Sequence, residues 1–381
     1  MVTEDEAPPY DRPNLSKDYL AGTAHEDWIP LVKRNFYEHN KINLNLGVAV
    51  VKIDSNKKSV ELSDGRHLRY DNLLLATGGS PVRPSIPGIN HENVYVLRTL
   101  RDCKDIIERT SRAQSVAVIG AGFIGLEAAA SLRQRGLEVH VIAPEDLPLL
   151  KTIGVHAGAF VKKIHEEHGV HFHLGHSVKE IRRHDVILDD DQMVPADFVI
   201  VGAGIKPNTA LANQAGCHID HGVMVNEYLE TSVPGIFAAG DIAKWPDPRA
   251  QRSIRVEHWE VAERQGQVAA MNMIGEKVKF QDVPFFWTQH FDQTLNYVGY
   301  SDRFDRMDVL GDIEQKDFAV IYYEGDRVAA FLTVNRDRES LLVEEALAHL
   351  DSLKAQDIIM EFERRVHRPP PENPDYFEPS P

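Results

Sequence analysis

Residues 115–127 read SVAVIGAGFIGLE. The run VAVI is uninterrupted and apolar, as a strand buried on both faces requires. Gly120, Gly122 and Gly125 follow at the spacing GxGxxG. Gly120 permits the tight turn, Gly122 has no Cβ and so admits a pyrophosphate to the backbone, and Gly125 lets the next helix pack closely on the strand. Phe123 and Ile124 open that helix, predicted over 123–135, and its N-terminal amides and positive dipole end face the phosphates. Gly136 stops it, and 137–143 forms the next strand. Three glycines alone are a weak signal. Strand, turn, helix, stop and second strand in this order predict a dinucleotide-binding unit.

On the C-terminal side of this unit the question is which dinucleotide it takes. An acid at the end of the second strand would bind the ribose 2′-hydroxyl and favour NAD. Residue 143 is Ala, and Glu145 is the carboxylate two residues on, with Lys151 following. No arginine cluster offers a clamp for a 2′-phosphate, so NAD is expected and NADP is left open. Helix, strand, hairpin and strand then carry the unit to about residue 201. Beyond it, 222–243 reads as strand-turn-strand and 258–274 as a helix. Residues 284–335 form a separate β-rich piece in which 318–323 and 328–333 pair across Glu324-Gly325-Asp326. Helices at 340–349 and 355–364 close it. The tail from Arg368 has six prolines in 14 residues and is expected to be disordered.

On the N-terminal side, 46–53, 58–62 and 67–70 alternate as short antiparallel strands with Ser63-Asp64-Gly65 as a hairpin turn. Residues 72–76 are a short buried strand ending in the tight turn TGGSP, and 100–111 is a helix. The first residues read as the end of a strand, an acidic turn, and then a Pro-rich loop carrying Asp11, Arg12 and Lys17.

Composition bounds the rest. At 381 residues the chain has room for two or three domains. It is 43% hydrophobic and 26% charged, as soluble globular proteins are. No apolar run is long enough for a membrane helix, and no membrane partner is expected. The net charge of −16, from 58 acidic and 42 basic side chains, argues against nucleic acid as a partner. Cys103 and Cys217 are the two cysteines. They cannot supply the four thiolates of an iron–sulfur cluster, and the absence of CxxC excludes a disulfide-reductase mechanism. A thiol-reducing compartment fits, cytoplasmic or mitochondrial. His165, His168, His171, His173 and His176 crowd into twelve residues. They read as an exposed helix end and strand, without the cysteine or paired carboxylate of a known metal spacing, and no metal site is expected.

PYDRPNLSK, ATGGSP, GAGFIGLE, FAAGD and EHWE occur in this order along the chain. In order and spacing these motifs resemble the flavin-dependent pyridine nucleotide reductases, in the ferredoxin-reductase branch that includes apoptosis-inducing-factor-like proteins. The resemblance implies an α/β fold with two Rossmann-like domains. One is a discontinuous FAD domain over 1–108 and 221–282, and the other an NAD(P)H domain over 109–220. A small α+β interface domain over 283–366 and a tail over 367–381 complete the chain.

By the same resemblance, Glu4 binds the FAD adenosine ribose, Arg12 the diphosphate region, and Lys17 approaches the isoalloxazine. Ala76, Thr77 and Gly78 of the ATGG turn, and Gly240 with Asp241, border the flavin nucleotide. Glu127 is the ion-pair partner of Lys17, and a carboxylate beside an ammonium favours its charged form. His258, Trp259 and Trp287 flank the flavin ring, Glu257 lies near the nicotinamide, and Gly204 leaves room for the cofactor.

The family opens with its own strand-GxGxxG-helix, whereas this sequence has one GxGxxG, in the second domain. The FAD domain is therefore expected to be N-terminally truncated. The implied activity is hydride transfer from NADH to FAD and one-electron transfer to an iron–sulfur acceptor of ferredoxin or Rieske type, with a homodimer left open. The alternatives are a catalytically impaired flavoprotein or redox-sensing scaffold, and monodehydroascorbate reductase. Lys244, Arg249, Arg252 and Arg255 form a basic stretch in an acidic chain, expected to dock the acceptor.

Overall fold

The computed structural model describes residues 1–366; the Pro-rich tail expected to be disordered lies outside the described residues. The GxGxxG strand is the centre of a five-stranded parallel sheet. Its strands are β1 (Val94–Val96), β2 (Ser115–Ile119), β3 (Glu138–Ala143), β4 (Val170–Leu174) and β5 (Phe198–Val201), in the order β1-β5-β2-β3-β4. Every residue of β2 is buried. That is why the run is continuous rather than alternating. β1 lies in the 1–108 segment expected for the other unit, so the sheet draws on both segments, and Tyr95 of β1 packs edge-on against Phe198 of β5.

Helix α1 (Phe123–Gln134) follows β2, and α2 (Leu150–Glu167) follows β3. Eight of the twelve residues of α1 are buried, among them Ala128, Ala129, Ala130 and Ser131. These small side chains let a second layer lie directly on the helix. That layer is the Pro-rich loop, where the 3-10 turn Pro13–Ser16 and the short helix Asp18–Ala21 pack on α1.

The segments on either side of the dinucleotide unit form short sheets around a second core that includes Trp245, Phe237 and Phe280. Val50–Asp54, Ser59–Leu62 and His67–Arg69 form the expected antiparallel set. Leu73–Leu75 pairs in parallel with Ile236–Ala238, and α3 (Trp259–Met273) packs over this pair. Gly79–Pro81 and Ile205–Pro207 form a two-stranded antiparallel ribbon where the chain crosses between the units.

The C-terminal sheet is antiparallel. Its strands are β6 (Phe285–His290), β7 (Gln293–Gly299), β8 (Arg306–Asp312), β9 (Asp317–Glu324) and β10 (Arg327–Val334), in the order β6-β7-β10-β9-β8. The period-2 rule sorts β9 cleanly. Phe318, Val320 and Tyr322 face the core shared with the dinucleotide unit. Ala319, Ile321 and Tyr323 face the core under α4 (Asp337–Ala348) and α5 (Ser352–Val366). Phe318 meets Phe160 of α2 edge-on, and the Tyr322 hydroxyl donates to the Ile153 carbonyl at 2.8 Å. The sheet is thus seated on the dinucleotide unit, and β6 lies against α1.

Candidate functional site

The N-terminus of α1 begins at Gly122 with no side-chain cap, so its first amides are not taken up by a capping group. An ideal Cβ at Gly125 would stand 2.3 Å from the Gly120 carbonyl, so that glycine is required by packing. Gly122 differs: its backbone is extended (φ −84°, ψ 177°), and a Cβ there would meet no protein atom within 4 Å. The fold does not need a glycine at 122. The space above it suits a pyrophosphate, and the residues present fit a dinucleotide. Gly122→Ala is expected to leave stability within about 0.5 kcal/mol of the parent and to weaken NADH binding by about tenfold or more. Gly125→Ala should instead cost about 1–3 kcal/mol by overpacking. Urea unfolding and calorimetric titration with NADH separate the two, and unchanged affinity in Gly122→Ala would refute the assignment.

At the other end of the first turn, Glu127 is 3% exposed and meets Lys17, which is 11% exposed, with Nζ 2.8 Å from Oε2. The pair joins residues 110 positions apart. Lys17 Nζ also donates to the Pro13 carbonyl at 3.4 Å, and the Ser16 hydroxyl donates to Glu127 Oε2 at 2.6 Å. Ser131, one turn further along α1, donates to the carbonyls of Ser16 and Lys17. The loop is therefore clamped to the dinucleotide helix by side chains on the same helical face. Glu127 Oε1 accepts at 2.7 Å from Thr288 of β6, a residue that the sequence reading missed.

A second cluster forms around Arg98. Thr99 and Asp102 cap the helix Leu100–Thr110 reciprocally, and Asp102 also accepts from the Arg98 amide. Held there, the Arg98 guanidinium pairs with Asp241 at 2.7 Å, and its carbonyl accepts from Arg12. Arg12 also lies over the Tyr10 ring. Gly78 passes beneath Arg98, and Gly240 donates to Gln265 Oε1 at 2.8 Å. Gln265 Nε2 is buried with no protein partner. The orphaned amide beside Gly240, with the Arg98 guanidinium held by the adjacent Asp241 and Arg12 held by the Arg98 carbonyl, is a donor set suited to the anionic, acceptor-rich part of a flavin nucleotide. Asp241 sits inside the 3-10 turn Gly240–Ile242 and makes no helix cap.

The remaining predicted residues are placed as follows. Thr77 donates to the Asn208 carbonyl at 2.7 Å, and Ala76 beside it is exposed. Gly204 has φ +87° and open space where a Cβ would be. Phe123 packs edge-on against Phe286, which also contacts His258 at 4.6 Å between ring centroids. Trp287 stacks on Phe285, and Trp259 is half-buried at the start of α3. Burial pushes His258 down to about 3, so its ring is neutral. Glu257 is exposed and paired with Arg255 at 2.9 Å. Glu145 is paired with Lys151 at 3.0 Å. Ile124 is exposed at the mouth of the GxGxxG turn, and Glu4 is exposed at the edge of the chain's first turn.

Two expectations are corrected. The basic stretch is not a free docking surface. Lys244 pairs with Asp220, Arg252 with Asp302 and Arg255 with Glu257. Arg249 is only 9% exposed, bound to the buried Asp247 and to the carbonyls of Gln281 and Asp282. These cations neutralise carboxylates of the fold. Within the histidine segment the helix end and strand are exposed at His168 and His171 as expected, but His165 is not: it is fully buried because the C-terminal sheet covers α2, and His140 from β3 contacts His171 and His173. His176 lies beside Asp189 and Asp190 at the surface, where Asp189 already accepts from Ser177. No helix among the described residues is long and apolar enough to cross a membrane.

Comparison with known proteins agrees with this geometry. A family described as pyridine nucleotide-disulphide oxidoreductase matches residues 1–266, and one described as reductase C-terminal matches 285–361. Human apoptosis-inducing factor 3 is 34% identical over 94% of the chain. The chain spans 60% of the length of that relative. The structure of the covalent putidaredoxin reductase–putidaredoxin complex superposes with a TM-score of 0.88 at 32% identity, covering 95% of this chain and 92% of that one. The ferredoxin reductase for the CYP199A2 system of Rhodopseudomonas palustris gives a TM-score of 0.90 at 28% identity, covering 96% and 92%.

Proposed function

Because the chain belongs to the pyridine nucleotide-disulphide oxidoreductase family, we propose that it is an NAD(P)H-dependent flavoprotein reductase that delivers electrons to an iron–sulfur protein. The observation that carries this reading is the 2.8 Å contact between Lys17 and Glu127, which ties a largely buried cation of the N-terminal loop to the dinucleotide helix α1. A bound flavin supplies the conversion between a two-electron donor and a one-electron acceptor.

The chain's own residues do the rest. The α1 amides and the open Gly122 seat the nicotinamide dinucleotide. Phe123, Phe286 and His258 wall the cleft with rings and keep water out of it. Lys17, oriented by Glu127 and the Pro13 carbonyl, holds positive charge where negative charge develops. Arg98, Asp241 and Arg12 border the flavin nucleotide. NADH is the proposed donor, with Glu145 at the ribose. The iron–sulfur acceptor follows from structural relatives named as reductases of putidaredoxin and of a ferredoxin. Both cysteines are buried, and burial raises the pKa of each thiol, that of Cys103 to about 12, so neither is a reactive thiolate.

The test is spectroscopic. The purified chain, supplied with FAD and freed of excess, should be yellow and should bleach anaerobically on addition of NADH. A [2Fe–2S] ferredoxin should then restore the colour. A chain that stays colourless after exposure to FAD would sink the proposal.

A further inference from the structure

The polar contacts of Glu127 do not stop at Thr288. His290 Nε2 lies 3.3 Å behind the Thr288 hydroxyl, and His290 Nδ1 lies 3.1 Å from His165 Nε2. The last nitrogen, His165 Nδ1, is buried and has no hydrogen-bond partner. All three side chains are buried. Burial, with the Lys17 charge facing it, pushes His290 down to about 3. Burial, with His290 and His168 beside it, pushes His165 well below the ordinary histidine range. Both rings are neutral.

One arrangement of hydrogens satisfies this set. Glu127 accepts from Lys17 and Ser16 on one oxygen, and as a carboxylate it accepts from Thr288 on the other. The Thr288 hydrogen is then used, and its oxygen must accept. His290 therefore carries its hydrogen on Nε2 and leaves Nδ1 bare. That bare nitrogen accepts from His165 Nε2–H, and His165 Nδ1 is left as a lone pair. The unpartnered nitrogen at the end is then a lone pair, so every donor hydrogen in the file has an acceptor.

We propose that Thr288, His290 and His165 are positioning residues, a file of donors all pointing toward Glu127 that fixes one carboxylate oxygen so that the other stays aimed at Lys17. The inference rests on the proposed function for its kinetic readout alone. With the carboxylate rotated, the oxygen that holds the Lys17 ammonium would be withdrawn and the ammonium would be free to swing away from the cleft.

Two measurements test it. Ring-nitrogen NMR on the intact chain should show His165 and His290 as neutral Nε2–H tautomers, both unchanged down to pH 5. An Nδ1–H tautomer or a charged ring at either position overturns the file. Thr288→Val keeps the shape and removes the hydroxyl. It should slow reduction of bound flavin by NADH about tenfold and shift the flavin midpoint potential, while Thr288→Ser should restore both to within about twofold. A valine variant with the parental rate and potential overturns the proposal. If that variant does not fold, His290→Phe is read in the same assay, with the same parental result overturning it. If the parent chain binds flavin but NADH does not reduce it, the proposed function fails, and the ring tautomers decide the file independently.

Discussion

At pH 4.5 the folded chain is expected to be about 5 kcal/mol less stable toward urea than at pH 6.5. The sign follows from two buried rings. His165 and His290 are neutral when folded, with His290 lowered to about 3 and His165 also far down, whereas in the unfolded chain each takes a proton near 6.5. Below that value the unfolded state binds more protons than the folded one, so stability rises with pH and falls as acid is added. The loss runs from about pH 6.5 down toward the folded values, and each ring contributes about 1.4 kcal/mol per pH unit. His140, His173 and His258 are also lowered by burial and act in the same direction, adding to the loss from the two rings. His176 acts the opposite way, because its hydrogen bond to Asp189 raises it, but it stands at the surface and is screened. A loss of 5 kcal/mol is comparable with the whole stability of many domains, so a cooperative acid transition should lie above pH 4. A stability profile flat between 6.5 and 4.5 would show that water reaches the two rings.

Glu127→Gln is expected to cost about 3 kcal/mol of stability and to slow flavin reduction by at least about tenfold. The substitution keeps the shape and leaves the Lys17 ammonium, 11% exposed, without its counter-charge. The amide can still accept from Ser16 or Thr288, which limits the loss to the lower end of the range for a broken buried pair. Removing the cation as well, in Lys17→Met/Glu127→Gln, should recover about 2 kcal/mol of stability and none of the rate. That divergence is the decisive result. If the double variant is no more stable than Glu127→Gln alone, the pair is not the source of the loss.

The dinucleotide unit was legible because its signals are local. Strand, glycines and helix start within thirteen residues of one another, and each glycine announces its own backbone need. Lys17 and Glu127 were named by resemblance, and nothing in their neighbourhoods announces a contact across 110 residues. Thr288 and Arg98 were not found at all. Their partners lie 161 and 143 residues away, and a threonine in a β-strand or an arginine before a helix cap is ordinary in its own context. The basic stretch misled for a related reason. Charges in a loop read as solvated until the acids that neutralise them are seen, and Asp220 and Asp302 come from other elements. His165 was misplaced because α2 looks amphipathic by itself, and the sheet that covers its outer end begins 118 residues after it ends.

Glu127 and the three groups that satisfy it arrive from three distant parts of the polypeptide: Ser16 and Lys17 from near residue 17, Thr288 from the C-terminal sheet, and the carboxylate itself from the middle. A chain that has closed only two of these parts holds a dehydrated anion with too few neighbours, a penalty relieved only when the third arrives. The proposed redox cleft therefore doubles as a coincidence detector for assembly. Half-built molecules are disfavoured at the same spot where the proposed chemistry takes place, and the unit that looks peripheral on a domain map is a precondition for the other two.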